Sequence, residues 1–378
     1  MLQIDHVYEF FSIILEKTTM YTLPQGVLPT VPPSDFNITN VHIFNDSATS
    51  KKIFFYDQEP VLSKFAKPLL DVCALEPEYA VDALVTSEHS KEVDDICQAN
   101  NIESCYYFFH GFAALDWYRG YYALNYRKPV VKDYAQDYIT FNRIITNDRS
   151  YRIYWVSKLA ELGLLPRGQI SFNVTDNLFD DWRDEVADPK TKLSEHARRH
   201  AEQHLTNINK LIIDRAELPG SASADIPREA DALWNIVTET VFYYDKLHLT
   251  EKIFKPIVNK QPFMLLAAPG NLAYLRSYGF ETFGSIIDES YDDIQDPDQR
   301  IEAVAKQLHW YCNLTAEEKQ EIIQQLAPIV EYNFRHFYGE FRKIIARELV
   351  DNLQTLYNNM GYDVATIARL ESMLDLLI

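Results

Sequence analysis

Residues 263–268 read Phe-Met-Leu-Leu-Ala-Ala and run directly into Pro269 and Gly270. A short, continuous apolar run is typical of a strand buried on both faces of a parallel sheet, and the Pro-Gly pair ends it. The residues that follow predict a helix over 271–278, with Gly279 as its C-terminal cap. This order of strand, turn and helix indicates an α/β domain.

Working outward from this stretch, other apolar runs predict further strands at residues 52–56, 83–86, 105–109, 138–141 and 211–214. The segments between them are long enough for helices, for example residues 91–99. Apolar residues keep helical spacing from Ile153 to Leu162, where Gly163 supplies a stop. The alternation predicts an α/β protein with doubly wound sheets.

The chain of 378 residues is long enough for two domains, because a domain has roughly 100 to 200 residues. The polar, proline-punctuated stretch 127–137 is the predicted linker, and from Asp296 onward the pattern is helical, with a capping box at Thr315 and Glu318. We expect two facing Rossmann-like domains and a helical C-terminal segment. Their predicted ranges are 1–132, 136–345 and 346–378, the last crossing back to the first domain.

The formal net charge of −19 repels nucleic acid and anionic membranes. No apolar run is long enough to span a bilayer. The first residues carry Asp5 and Glu9 where a signal peptide would be basic. We therefore expect a protein without a membrane span that stays in the cytoplasm, or in a host's cytoplasm if a virus encodes it.

The segment 245–257 carries the clearest chemical pattern. Thr250 can cap a helix whose first turn contains Glu251 and Lys252. The positive end of a helix suits phosphate groups, and a carboxylate there can accept hydrogen bonds from ribose hydroxyls. Spacing alone favours a plainer alternative, a surface helix with an ordinary Glu–Lys pair, and Pro256 is expected to kink the helix.

This segment, which runs into Gln261-Pro262-Phe263, resembles the donor-binding motif of the fucosyltransferases of glycosyltransferase family 10. In that family Tyr-x-Thr-Glu-Lys precedes a helix and a strand that opens with Val-Pro; here His248 stands in place of the Tyr. Asn142 and Arg149 are similar to the family's Ser-Asn element, whose downstream Arg holds the donor pyrophosphate. Residues 54–60 (Phe-Phe-Tyr-Asp-Gln-Glu-Pro) resemble the Glu-Ser-Pro element that carries the proposed base.

The resemblance implies a GT-B fold, inversion at the anomeric carbon, and neither an essential metal nor a cofactor. The donor would be a nucleotide sugar, with a GDP-sugar as one candidate. Glu59 is the candidate base and Asp57 its alternative, although a carboxylate paired with a lysine is the plain interpretation of either. The donor-binding candidates are Asn142, Arg143, Arg149, Arg152, His248, Thr250, Glu251 and Lys252.

Arg143, Arg149 and Arg152 compete for the diphosphate. If the helix begins near Asp148, Arg149 and Arg152 share one face, so either can be the ligand. His89 and His110 are candidates on the acceptor side, each with a hydrogen-bonded structural role as the plain alternative.

A glycan is the first candidate for the acceptor. One alternative is a hydroxymethylated base in DNA, glycosylated by a virus-encoded enzyme, which the negative charge disfavours. Another alternative is a non-catalytic nucleotide-binding or assembly protein with the same fold. Catalysis is favoured if Glu59, Arg149 and Lys252 surround one cleft.

Overall fold

The structure is a computed structural model that describes residues 7, 10, 11, 18–22, 41–46, 52–56, 82–119, 134–172, 181–208 and 231–378. The chain divides into two compact units. Unit 1 combines Met1–Trp117 with Gly339–Ile378, and unit 2 is Tyr118–Tyr338.

The strands of the described residues are β1 (Thr18–Thr22), β2 (Val41–Asp46), β3 (Lys52–Tyr56), β4 (Ala83–Thr86), β5 (Glu103–Tyr106), β6 (Gln136–Asn142), β7 (Gly168–Phe172), β8 (Ala232–Thr238) and β9 (Phe263–Leu266). The helices are α1 (Lys91–Ala99), α2 (Phe109–Trp117), α3 (Tyr151–Glu161), α4 (Trp182–Ala187), α5 (Glu195–Leu205), α6 (Glu251–Val258), α7 (Asn271–Ser277), α8 (Pro297–Cys312), α9 (Ala316–His336), α10 (Arg342–Asn359) and α11 (Val364–Ser372).

The sheet of unit 1 has the order β1-β2-β3-β4-β5. β1, β2 and β3 pair antiparallel, whereas β3, β4 and β5 run parallel. α1 lies between the parallel strands β4 and β5 and begins at Ser90, whose Oγ accepts the backbone N–H of Val93 at 3.3 Å. The strands predicted at 52–56 and 83–86 and the helix predicted at 91–99 are confirmed.

The strand predicted at 105–109 is displaced. β5 ends at Tyr106, and α2 begins at Phe109. Nearly all of α2 is buried, so its apolar residues continue the apolar run of the strand without a change of pattern. A short apolar run cannot distinguish a buried strand from a buried helix, which explains the error.

The sheet of unit 2 has the order β7-β6-β8-β9, and its pairs are all parallel. Every residue of β8 is buried, as expected for a strand covered on both faces. Its one amide, Asn235, donates through Nδ2 to Oε1 of Gln261 at 3.3 Å, and Gln261 donates to the Ala232 carbonyl at 2.8 Å. The described units are therefore α/β with parallel strands, the coarse fold class that the sequence predicts.

Gly168 begins β7 beside the ring of Tyr138 in β6. A Cβ on Gly168 would lie 2.2 Å from Cζ of Tyr138, closer than atoms can approach. The Tyr138 hydroxyl donates to the Leu164 carbonyl at 3.0 Å, which holds the ring in that position. Glycine is thus required where the chain returns to the sheet after α3.

The strand and helix predicted around Pro269 are confirmed with small shifts, as β9 ends at Leu266 and α7 spans Asn271–Ser277. Gly279, the predicted cap, has a φ of 89°, in the left-handed region. The strand predicted at 211–214 lies outside the described residues, as do residues 127–133 of the predicted linker. Its last two residues, Gln136 and Asp137, already belong to β6.

The C-terminal part of the chain is helical. α9 begins with the predicted capping box, in which Thr315 and Glu318 each accept the other's backbone N–H. A π-helical turn, Phe337–Phe341, leads into α10, and within unit 1 Asn352 of α10 donates to the Tyr106 carbonyl at 2.9 Å. In the part of the chain that the structure describes, no helix is long and apolar enough to cross a membrane.

Candidate functional site

β6 and β8 mark the point where the chain changes direction across the sheet of unit 2. The chain passes from β6 to β7 on one side, and then to β8 on the other side of β6. In open parallel sheets, ligands bind beyond the carboxyl ends of the strands at such a switch point. The residues that follow Asn142 and Thr238 therefore define the candidate site.

Glu239 follows β8 directly and is fully buried. Its Oε1 accepts the backbone N–H of Thr250 at 3.1 Å, and its Oε2 accepts the Thr250 hydroxyl at 2.6 Å. Oε2 also accepts the backbone N–H of Thr240 at 3.3 Å. The carboxyl group thereby attaches the start of α6 to the end of β8.

Burial raises the pKa of Glu239 above its usual range, and the Lys252 ammonium and the bonds from Thr250 oppose this effect. A buried carboxyl group with a perturbed pKa and a specific charge partner is common at functional sites, although structural networks also produce it. Here its partners belong to the first turn of α6, so Glu239 positions that turn.

Thr250 is the N-cap of α6, as the sequence predicts. Its Oγ1 accepts the backbone N–H of Lys252 at 3.3 Å while it donates its own hydrogen to Glu239. Pro256 lies within α6 but does not end it, since the helix continues to Val258. The cap and the carboxylate behind it give the first turn of α6 a defined direction.

Lys252 lies in that first turn with its ammonium in contact with three oxygens. Nζ donates to Oε1 of Glu251 at 3.0 Å, to Oγ1 of Thr250 at 3.1 Å and to Oγ1 of Thr240 at 3.3 Å. The Lys252 side chain is 25% exposed and the Glu251 side chain 5%. An anion can therefore reach Lys252 from solvent by replacing one of these partners.

The end of β6 meets the same region. Thr238 donates through Oγ1 to the Phe141 carbonyl at 2.7 Å, and Nζ of Lys255 in α6 lies 5.3 Å from the centre of the Phe141 ring. Asn142 is fully buried and donates to Oγ1 of Thr140 at 3.3 Å, while its Oδ1 accepts no hydrogen bond within the described residues. Asn142 is thus held inside the end of the strand.

The three candidate arginines occupy different environments. Arg152 is buried in α3, and its guanidinium donates to the carbonyls of Ile144 at 3.0 Å and Thr238 at 2.7 Å. Arg149 ends the 3₁₀ turn Asn147–Arg149 and is half-buried, and Arg143 is exposed. α3 begins at Tyr151 and not near Asp148, so the condition under which Arg149 and Arg152 would share a helix face is not met.

The loop after β8 is bound to the turn after β6 by polar contacts. Nζ of Lys192 lies 2.7 Å from Oδ1 of Asp148, and the Tyr244 hydroxyl donates to the same oxygen at 2.9 Å. The hydroxyls of Ser150 and Tyr243 lie 3.0 Å apart. These contacts place Lys192 beside the carboxylate of Asp148, the residue before Arg149.

An aromatic stack supports the site from within. The Tyr151 hydroxyl donates to the Glu239 carbonyl at 2.6 Å, and its ring stacks on Phe242 with centroids 3.9 Å apart. On Phe242 the guanidinium of Arg300 lies 4.3 Å from the ring centre, and burial lowers the pKa of Arg300 to about 10. Arg300 remains charged near neutrality and holds the loop through the Phe242 carbonyl at 2.7 Å.

His248 is buried just before the helix cap. Its backbone N–H donates to Oδ1 of Asn271 at 2.9 Å. Asn271 in turn donates to the carbonyls of Lys246 at 3.1 Å and Ala268 at 2.8 Å. The segment that leads into α6 is thereby joined to the turn after β9.

The candidate catalytic and acceptor-side residues belong to unit 1. Glu59 and Asp57 lie outside the described residues. His89 is exposed, with its ring 5.1 Å from that of Tyr106. His110 is buried as the second residue of α2, and its ring lies 5.2 Å from that of Phe109.

The structure brings four of the predicted residues together at the end of β8: Arg152, Thr250, Glu251 and Lys252. Sequence reasoning missed Glu239, which accepts two hydrogen bonds from Thr250 and so attaches the start of α6 to the sheet. A signal for it was present, because the apolar run 232–238 ends directly in Glu-Thr. No protein-family model, curated protein or solved structure matches the chain.

A cavity of about 320 Å³ opens at the opposite edge of the same sheet, near the start of β6. Asp137 on its wall is paired with NH2 of Arg167 at 2.5 Å and with Nζ of Lys319 at 2.7 Å. The cavity lies at the amino ends of the strands, whereas ligands of parallel sheets bind at the carboxyl ends. The switch point remains the better candidate.

Proposed function

We propose that this protein is a glycosyltransferase that binds a nucleotide-sugar donor at the carboxyl edge of the unit 2 sheet. The observation that carries the proposal is the position of Thr250, Glu251 and Lys252 in the first turn of α6, at the switch point between β6 and β8. A helix N-terminus with an accessible lysine suits a diphosphate. The resemblance to glycosyltransferase family 10 names the same residues.

The side chains divide into binding and positioning groups. Lys252 and Arg149 hold the diphosphate, with Arg143 as an alternative to Arg149. Arg152 is already bonded to backbone carbonyls and keeps α3 in place. Glu251 accepts a hydrogen bond from a ribose or sugar hydroxyl, after Lys252 has turned from Glu251 to the diphosphate.

The charge of the site is compatible with this ligand despite the net charge of −19. The carboxyl edge carries cations beside the carboxylates of Asp148 and Glu251, and Lys192 and Lys246 both lie against the Tyr244 ring, 3.5 and 5.5 Å from its centre. Local charge attracts a small anionic donor, whereas a long phosphate backbone would also meet the negative remainder of the surface. This distribution favours a glycan acceptor over DNA.

The resemblance to glycosyltransferase family 10 extends the proposal to the complete reaction. In a GT-B enzyme with two facing Rossmann-like domains, Glu59 or Asp57 removes the proton of the acceptor hydroxyl, and transfer inverts the anomeric carbon without a metal. His89 and His110 are the side chains of unit 1 that would assist the acceptor. A cation pair on the leaving diphosphate supplies the charge stabilisation that a metal gives elsewhere.

The test is ligand binding by the full chain, measured by thermal shift and calorimetry with nucleoside diphosphates, nucleotide sugars and free nucleosides. Lys252→Ala should weaken binding of the diphosphate by about 1.5–3 kcal/mol, because a charge-assisted hydrogen bond is lost. Binding of the free nucleoside should change little. Lys255→Ala is the matched control, since Lys255 lies one turn further along the same helix and is also half-buried.

Equal losses for diphosphate and nucleoside would show that Lys252 does not face the phosphates. If no nucleotide binds, the proposal fails at its first step. If a nucleotide sugar binds and is neither transferred nor hydrolysed with any acceptor class, the non-catalytic alternative is the better description of the protein.

A further inference from the structure

A second group of polar side chains lies where α3 packs against α5, away from the switch point. Glu161 is the last residue of α3, and His200 and His204 lie one turn apart on α5. One ligand atom from each lies within 4.8 Å of the others. The two imidazole rings are 4.4 Å apart between centroids and tilted by 32°.

Hydrogen bonds determine which nitrogen of His200 carries its proton. The Ser157 hydroxyl has one hydrogen and donates it to the Tyr154 carbonyl at 2.8 Å. The contact of 2.8 Å between Oγ of Ser157 and Nδ1 of His200 must therefore use a hydrogen on Nδ1. The neutral imidazole consequently has its lone pair on Nε2.

That lone pair lies beside a carboxylate. Nε2 of His200 is 3.2 Å from Oε2 of Glu161, a distance at which a protonated imidazole forms an ion pair with the carboxylate and a neutral imidazole with its hydrogen on Nδ1 does not. Two acceptor atoms at this distance repel each other unless a proton or a metal ion lies between them. Ligand atoms around a tetrahedral zinc ion, each about 2.0–2.2 Å from the metal, lie roughly 3.3–3.6 Å apart.

We propose that Glu161, His200 and His204 bind a divalent transition-metal ion, with Zn²⁺ as the best match. Two imidazoles and one carboxylate form a common zinc ligand set that leaves a fourth position for water. Glu161 is 37% exposed, so an ion can enter from solvent. Ser157 supplies the outer hydrogen bond that orients a metal-binding histidine.

Lys158 offers a competing interpretation of Glu161. Its ammonium forms an ion pair with Oε2 of Glu161, one turn back on α3. The same Oε2 lies 3.2 Å from Nε2 of His200, so a metal ion bound there would share this oxygen with Lys158 or displace the ammonium. The ion pair accounts for the carboxylate alone and not for the convergence of the two histidines.

His196 provides a matched control on the same helix. It lies one turn before His200, and its Nε2 is 3.1 Å from the Tyr154 hydroxyl and 3.6 Å from Oε1 of Glu302. The side chain is 60% exposed. His196 thus resembles His204 in type and helix, although it is more exposed, and it lies outside the proposed ligand set.

The proposed ion would join the C-terminal end of α3 to α5. It is independent of the proposed donor site, which lies at the other end of α3, about 15 Å away for eleven helical residues. The ion is assigned no part in sugar transfer. Its direct effect would be to attach one helix to another on the outside of unit 2.

The experiment uses the full chain without a polyhistidine tag, freed of metal by a chelator that is then removed. Zn²⁺ is titrated in competition with a chromophoric chelator, and Co²⁺ is added separately to record its visible spectrum. The wild type should bind one Zn²⁺ per chain, and bound Co²⁺ should show the intense absorption of tetrahedral coordination. His204→Ala and Glu161→Gln should each weaken binding at least about tenfold, whereas His196→Ala should change it less than twofold.

His200 is buried, so its replacement can disturb folding. The metal affinity of His200→Ala is therefore interpreted only if the circular dichroism of the metal-free variant matches that of the wild type. The more accessible variants, His204→Ala and Glu161→Gln, keep the test decisive if that variant does not fold. Unchanged affinity in His204→Ala, or an equal loss in His196→Ala, would overturn the proposal. An octahedral Co²⁺ spectrum with no loss in any of the three variants would also overturn it.

Discussion

The two ends of α3 differ in whether their polar side chains find hydrogen-bond partners of the opposite kind. At the N-terminal end, Tyr151 and Arg152 donate to the carbonyls of Glu239 and Thr238, so donors meet acceptors. At the C-terminal end, the lone pair of His200 lies beside the carboxylate of Glu161, so acceptors meet each other. The protein completes the first arrangement by itself, whereas the second is completed by a proton on His200 or, as proposed, by a bound metal ion.

The largest expected effect is at the N-terminal end. Glu239→Ala removes the acceptor of two backbone N–H groups and one hydroxyl, from Thr240 and Thr250, in a fully buried position. We expect a loss of about 3 kcal/mol in the free energy of unfolding, because buried donors without acceptors are costly. Calorimetry should show the thermal midpoint falling by roughly 6–12 °C.

Glu317→Ala is the control for this measurement. Glu317 is exposed in the first turn of α9, and its removal should change stability by less than about 0.5 kcal/mol. The loss in Glu239→Ala should be the same with and without zinc. A loss as small as that of Glu317→Ala would show that Glu239 does not support α6.

Local signals made part of this architecture predictable. The cap at Thr250, the capping box at Thr315 and the stop at Gly163 each depend on a few neighbouring residues, and the structure has all three. The displaced strand at 105–109 shows the limit of such signals. A buried helix and a buried strand both present continuous apolar residues there, and only tertiary packing decides between them.

The candidate sites depend on contacts that are distant in sequence. Glu239 is eleven residues before Thr250, and nothing local shows that its carboxylate turns toward the cap. The four-residue spacing of His200 and His204 is visible in the sequence, but Glu161 comes from another helix. Sequence patterns can therefore indicate pairs of site residues within one helix. The third residue of each cluster can be identified only from the folded structure.

A smaller effect is expected at the cap itself. Thr250→Ala removes the hydroxyl that accepts from the backbone of Lys252 and donates to Glu239, and N-cap losses are about 1–2 kcal/mol. Thr250→Ser keeps the hydroxyl and should recover most of the stability. Thermal unfolding of the two variants measures the difference. If serine destabilises as much as alanine, the methyl group of Thr250 matters and the cap does not.

The smallest expected effect is at the C-terminal end of α3, and it depends on metal. His204 is half-buried near the end of α5, so His204→Ala should change the stability of the metal-free protein by less than about 0.5 kcal/mol. With free Zn²⁺ at a hundred times its dissociation constant, the wild type should gain about 2.7 kcal/mol, since the ion binds the folded state. The variant should gain much less, because it binds the ion more weakly.

Calorimetry of the Glu239 and His204 variants, with chelator and with zinc, therefore distinguishes the two ends of α3. Relative to the wild type, the Glu239 variant should be destabilised in both conditions, and the His204 variant only when zinc is present. A His204 variant destabilised equally in both would mean that packing holds α5, and the contrast between the two ends would disappear.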